Sequence, residues 1–280
     1  MAWTDMTALT GLVAWYKPET LAATYANGDP ISTWADSSGN SRDLTGTTTT
    51  RPLAAASSIN GYMAADFDGT DDVLSSASYT HSGNTVVTLV VSYDTLKNYN
   101  SLVAIDAVSG PSHPCWFFTS WGYSNGDFIV GNDGAGVFRY YTFENTWGGT
   151  PDTATTNYVV TMSFSGLGQL LRANGAQASF FSQQTGDPNS PSSGTAYIHM
   201  GFVGLASSYL DGKVCEAIIW TPTADYTEVP WVEGYLADKY AITLADGHLF
   251  KNAAPENAPT TYNATGGATL ASDARIERLK

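Results

Sequence analysis

Residues Gly212–Ile242, GKVCEAIIWTPTADYTEVPWVEGYLADKYAI, decide the reading of the whole chain. The run Val214–Trp220 is apolar except for Glu216 and rich in β-branched and aromatic side chains. Such a run suits a strand buried on both faces, because a strand with one face in water alternates with polar residues. Pro222 stops the strand, since it cannot donate to a ladder. Asp225 and Glu228 have the spacing of a capping box, which satisfies free amides at a helix start. Val229, Val232, Leu236 and Tyr240 then recur at helical spacing, with Trp231 and Tyr235 beside them, and predict an amphipathic helix. Pro230 is tolerated only in a first turn, which places the helix start close to it. The apolar face of this helix needs a sheet to lie on.

Outward from this unit the chain reads as strands and turns. Thr85–Tyr93, TVVTLVVSY, is the strongest strand signal. Gly11–Lys17, Met63–Phe67, Ser101–Ile105, Cys115–Trp121, Phe128–Gly131, Val137–Phe143, Tyr158–Phe164 and Tyr197–Phe202 join it. Asn125-Gly126, Asn132-Asp133-Gly134 and Asn174-Gly175 are hairpin turns. About a dozen strands with turn signals between them, no repeat and one late helix predict an all-β fold. The expected architecture is a two-sheet antiparallel jelly-roll sandwich carrying the amphipathic helix, over residues 1–245. From Asp246 onward Pro, Ala, Asn and Thr replace the periodic pattern. Residues 246–280 are therefore read as an extended C-terminal arm for attachment or oligomer contacts.

The chain carries 26 acidic against 12 basic residues, a net charge of −14. That balance argues against nucleic acid, whose phosphates must be neutralised by cations, and against anionic membrane surfaces. Nothing approaches the ~18 apolar residues of a membrane span. The start, MAWTDMTALTGLVAWY, has neither the charged region nor the apolar run of a signal peptide, so synthesis in the cytosol is expected. The two cysteines, Cys115 and Cys215, form no metal-ligand pair, and Cys215 in its apolar strand reads as a buried free thiol.

Four stretches then bring a family into view: Gly11-Leu12-Val13-Ala14-Trp15-Tyr16, Trp34-Ala35-Asp36-Ser37-Ser38-Gly39-Asn40, Phe67-Asp68-Gly69-Thr70-Asp71-Asp72-Val73-Leu74, and Gly212–Ile219 with Glu233–Tyr240. In their order and spacing they resemble the concanavalin A-like lectin/glucanase superfamily, in its laminin-G-like jelly-roll branch, as found in phage structural proteins and bacterial surface proteins. The resemblance implies the fold. It says little of function, because this fold hosts lectins, hydrolases, lyases and scaffolds alike.

Hydrolases of this fold carry carboxylates alternating along one strand, and a retaining glycosidase needs two carboxyls ~5 Å apart. The seven glutamates show no such strand, so no catalytic residue is assigned and a non-enzymatic protein is expected. Glu216 reads as a structural acceptor. Asp68, Asp71 and Asp72, joined by Asp36 and Asn40 where loops converge, are candidate calcium ligands, since calcium takes several oxygens. The four histidines are scattered and indicate no zinc site. Sugar binding needs aromatic platforms flanked by polar groups. Trp121, Tyr123, Asn125, Asp127, Asn132, Asp133 and Trp147, in the hairpin-rich middle, are the carbohydrate-binding candidates.

A surface-type module without a secretion signal fits a component that lysis releases. The resulting expectation is a phage virion surface protein, either capsid decoration, head fibre or tail-associated. It would be displayed after synthesis in the host cytoplasm, hold other virion proteins through the C-terminal arm, and bind host-surface glycans. A homo-oligomer fits that role. The alternatives are a stand-alone carbohydrate-binding lectin module and a polysaccharide hydrolase or lyase.

Overall fold

A computed structural model describes residues 5–81, 84–95, 100–106, 115–121, 127–130, 141–143, 156–164, 170–177, 180–183, 194–202, 209–222 and 226–251. In chain order the strands are β1 (Leu12–Tyr16), β2 (Thr33–Trp34), β3 (Leu44–Thr45), β4 (Leu53–Ile59), β5 (Tyr62–Asp68) and β6 (Leu74–Ser75). There follow β7 (Tyr79–His81), β8 (Thr85–Tyr93), β9 (Asn100–Asp106), β10 (Cys115–Trp121), β11 (Asp127–Val130) and β12 (Tyr141–Phe143). The last are β13 (Asn157–Phe164), β14 (Leu170–Ala173), β15 (Ala176–Gln177), β16 (Phe180–Gln183), β17 (Gly194–Met200) and β18 (Asp211–Trp220). Two α-helices, α1 (Pro18–Ala22) and α2 (Val229–Lys239), and one 3-10 turn, Met6–Ala8, stand among the described residues.

The strands form two antiparallel sheets, as the sequence predicts. The first runs β15-β14-β13-β8-β18-β5-β4 with β1 also on β18, and the second runs β11-β10-β9-β17-β6-β3-β2 with β7 on β17. β12 and β16 pair separately. The core between the sheets takes Val87, Leu89 and Val91 from β8 and Ala217 and Ile219 from β18, against Val103, Ile105, Ile198 and Met200 of the second sheet. The alternate residues Val86, Val90, Ile218 and Trp220 point the other way, into a second core beneath α2. The two central strands are thus buried on both faces, which is why their sequences lack polar alternation.

A bulge in β18 disturbs that alternation once. Val214 pairs with Val91 and Glu216 with Val90, so Cys215 is an extra residue. The bulge places both Cys215 and Glu216 on the α2 side of the sheet. Without it, period-two alternation would turn the Glu216 carboxylate into the apolar space between the sheets.

β1 ends before Pro18, which opens the short helix α1, where its fixed φ and missing amide cost nothing. α2 starts directly after Glu228, which is its cap residue in helical backbone, and Asp225, the other half of the expected capping box, lies outside the described residues. β4, LAAASSI, forms a strand without a sequence signal for one, because Ala and Ser have little strand preference. It pairs with β5, and its other edge is closed by residues 27–31, where Ala54 N donates to Asp29 O and Ile31 N to Pro52 O.

α2 is buried more widely than a surface helix. Eight of its eleven residues are buried, because the first sheet lies under it and the segment after it folds back over it. Phe250 covers Gly234, with ring centroid 4.7 Å from that of Trp231. A Cβ on Gly234 would stand 2.8 Å from the Phe250 side chain.

Candidate functional site

The outward face of the second sheet is the first candidate. Ala196, Ile198 and Met200 of β17 enter the core, so Thr195, Tyr197 and His199 face outward. Tyr197 and His199 are half-buried and stacked, with centroids 6.2 Å apart and ring planes at 22°. Ser75 of β6, directly across the ladder from His199, holds its Nδ1 through Oγ at 2.7 Å. On the other flank Asp106 of β9 stands opposite Tyr197. The rings therefore form a braced row, with hydroxyls at one side. Sequence reading found this strand but not the site; its signal was the outward series Thr-x-Tyr-x-His at period two.

The row leads toward an acidic turn. Asp72 lies three residues before Ser75, and one ligand oxygen each from Asp68, Asp71 and Asp72 lies within 4.8 Å of the others. Asp68 Oδ1 accepts from Thr70 N at 2.8 Å and Asp72 Oδ2 from Asp68 N at 2.9 Å. Asp72 is 6% exposed. Burial pushes its carboxyl up to about 6; the Asp68 amide pulls it down, and the carboxylates of Asp68, Asp71 and Asp66 push it further up. Such an all-oxygen donor set suits a hard cation of the calcium class, for which these three side chains would supply part of a six-to-eight oxygen shell. A carboxyl raised as Asp72 is can also hold and give up a proton close to neutral pH.

Asp36 and Asn40 do not join this turn. Asp36 accepts from Trp15 N, Ser38 N, Ser38 Oγ and Arg42 N, which ties its loop to β1. Asn40 donates its amide to Leu12 O and Val13 O. Of the carbohydrate candidates, Trp121 and Asp127 stand opposite each other in the β10–β11 hairpin, at the edge of the second sheet. Tyr123, Asn125, Asn132, Asp133 and Trp147 lie outside the described residues.

Beneath α2 the charged groups are structural. The Glu216 carboxylate, fully buried, accepts from Trp15 Nε1 at 2.7 Å and Tyr235 OH at 2.9 Å on one oxygen. Its other oxygen accepts from Tyr240 OH and Lys239 Nζ, both at 2.7 Å. Desolvation, then the Glu216 charge, drives the Tyr235 and Tyr240 hydroxyls well above the usual phenol range. Buried Glu233 accepts from Arg172 Nε at 2.8 Å and is bonded to His248 Nε2 at 2.9 Å. Cys215 is a free, buried thiol that donates to Met63 O and is pushed up to about 12 by burial.

No protein-family model matches the chain, and no curated protein matches it. Solved structures do. Domain 4 of AbnA, an extracellular GH43 arabinanase from Geobacillus stearothermophilus, in complex with arabinotriose, is similar at TM-score 0.51 and 14% identity, over 77% of this chain and 96% of that one. A GH54 α-L-arabinofuranosidase is similar at TM-score 0.51 and 14% identity, over 75% of this chain and 51% of its own. A sialidase of Trypanosoma rangeli matches at TM-score 0.47 and 14% identity, over 82% of this chain and 33% of its own. The chain thus spans a third of the length of such sialidases. At these identities the likeness is one of fold.

The expectation of a non-enzymatic protein is corrected by these findings. Structures sharing the fold belong to glycoside hydrolases, and carboxyls here converge in the Asp68–Asp72 turn instead of alternating along one strand.

Proposed function

We propose that this β-sandwich binds carbohydrate on the outward face of its second sheet. The observation that carries the reading is the stacked, half-exposed Tyr197–His199 pair, braced by Ser75 and standing in a row along β17. Aromatic faces of this kind accept the apolar C–H faces of sugar rings, while neighbouring hydroxyls and carboxyls take the sugar hydroxyls. The AbnA domain, whose fold this chain shares over nearly that domain's full length, binds arabinotriose, and this is in keeping with the proposal. The test is titration calorimetry against arabinan, xylan, β-glucan and galactan oligosaccharides, with Tyr197→Ala as control. Binding that falls at least tenfold in the variant, at unchanged melting temperature, supports the reading. Failure of the whole panel, or equal binding by the variant, overturns it.

A second reading has its own observation. The Asp68–Asp72 turn gathers three carboxyls, with one oxygen of each within 4.8 Å of the others, and Asp72 is raised to about 6; glycosidases work through neighbouring carboxyls of which one is held protonated. The same incubations, scored for new reducing ends, decide whether cleavage accompanies binding, and Asp72→Asn must abolish it. Display on a virion, with attachment through residues 246–280, is a separate proposal resting on the sequence resemblance. Peptide mass spectrometry of purified particles tests it, comparing the full chain with one ending after Lys251. Absence of the full chain from particles overturns it.

A further inference from the structure

Charge along the second sheet says which class of glycan suits it. The eight strands β2, β3, β6, β7, β9, β10, β11 and β17 contain no lysine and no arginine, but they contain Asp106 and Asp127. Asp106 stands opposite Tyr197 in the ladder, and the acidic turn Asp68–Asp72 closes the other end of the aromatic row.

The seven lysines and arginines among the described residues are each engaged by other groups. Arg172, Lys213, Lys239 and Lys251 are in ion pairs with Glu233, Asp66, Glu216 and Asp246. Arg51 donates to Gly46 O and Lys17 lies over the Trp15 ring. Arg42 donates to Val13 O and lies 4.4 Å over the ring of Tyr79 in β7, whose ladder partner Ala196 enters the core, opposite in direction to Tyr197. The whole chain adds a net charge of −14. A carboxylate brought to Tyr197 would lose its water, meet no partner cation on these strands, and be repelled at longer range.

We infer that the glycan taken by this face is uncharged, and that sialylated and uronic-acid sugars are excluded electrostatically. This inference rests on the carbohydrate-binding proposal above. It is tested on the full chain with matched pairs of glycans that differ by a carboxylate: galactotetraose against tetragalacturonate, cellotetraose against its uronate, and N-acetyllactosamine against its sialylated form. Affinities are measured at about 10 mM and about 1 M salt, where charges are screened beyond ~30 Å and ~3 Å.

The expected result is that at least one neutral member binds and its acidic partner binds about tenfold more weakly at low salt, ~1.4 kcal/mol, with the gap closing at high salt. Thr195→Lys places a cation two residues along the same outward row, at an exposed position, and must narrow the gap at low salt. Acidic members that bind as well as neutral ones overturn the inference while leaving the carbohydrate reading standing. A gap that salt does not change, or that Thr195→Lys leaves intact, also overturns it, since the discrimination would then be steric. If no member of any pair binds, and the arabinan, xylan, β-glucan and galactan panel above fails as well, the carbohydrate reading itself falls and this inference with it; if the panel binds while every neutral member here fails, the inference alone is overturned.

Discussion

Replacing Glu216 by Gln tests the claim that this carboxylate joins helix to sheet. The substitution keeps shape and removes one charge and one acceptor oxygen. Of four donors aimed at the site, Trp15 Nε1 and Tyr235 OH can still reach the amide oxygen. The amide nitrogen then faces Lys239 Nζ and Tyr240 OH, where a carboxylate oxygen stood 2.7 Å from each. The tyrosine hydroxyl can rotate to accept, but the ammonium cannot. Breaking a buried pair by removing one partner costs about 3–5 kcal/mol. Lys239 keeps Glu19 at 2.9 Å and some contact with water, which offsets part of that cost, so a loss of ~3 kcal/mol is expected. For a domain of this size that lowers the melting temperature by roughly 6–12 °C. The assay is thermal and urea unfolding followed by tryptophan fluorescence, to which Trp15 contributes directly. Adding Lys239→Met removes the stranded cation, and the double variant should be more stable than Glu216→Gln alone. A single variant within ~0.5 kcal/mol of the parent refutes the reasoning, because it would mean that the four donors find water when the carboxylate is lost.

Gly234→Ala improves helix propensity yet forces its Cβ to within 2.8 Å of Phe250, so a net loss of ~1–2 kcal/mol and altered Trp231 fluorescence are expected; a rise in melting temperature would show that Phe250 does not sit there. Asp72 is raised in the folded chain to about 6 from an unfolded value of ~3.9. The folded state therefore holds more protons between these values, and its stability falls as pH rises through that window, by ~1 kcal/mol after allowance for solvent at the turn. Melting temperature against pH should show that slope, and Asp72→Asn should remove it. Calcium at pH 7 should raise the melting temperature of the parent and not of Asp72→Asn; no shift in either rules out the cation. Cys215 should resist iodoacetamide until the protein unfolds, and peptide mapping that finds it alkylated in the native state contradicts its burial.

What could be read in advance was whatever local pattern controls. The apolar run of β18 and the nine-residue β8 announced burial on two faces, and the Asn-Gly pair after β14 marked a hairpin that forms between Ala173 and Ala176. Glu216 could be recognised as structural because a lone carboxylate in such a strand needs donors. Its donors could not be named, since they depend on a bulge that exists only once β18 has paired with β8. The wide burial of α2 was hidden for a similar reason: its cover, Phe250, falls in a stretch whose composition reads as arm. Asp36 looked like a ligand because Asp in a Ser/Gly/Asn loop has several explanations, and only the fold reveals that backbone amides fill its oxygens. The acidic turn and the Tyr197–His199 row, far apart in sequence, become neighbours through the β6–β17 ladder.

The fold-back of Phe250 onto Gly234 also gives the molecule a front and a back. Whatever follows Lys251 sets out from the helix layer, while the aromatic row looks out from the far sheet, with ~10 Å between the sheets and a helix layer of similar depth beyond. A tether fixed after Lys251 would therefore hold the protein like a tile glued by its underside, with Tyr197 on the glazed face. Many copies mounted this way would all turn the same sheet outward.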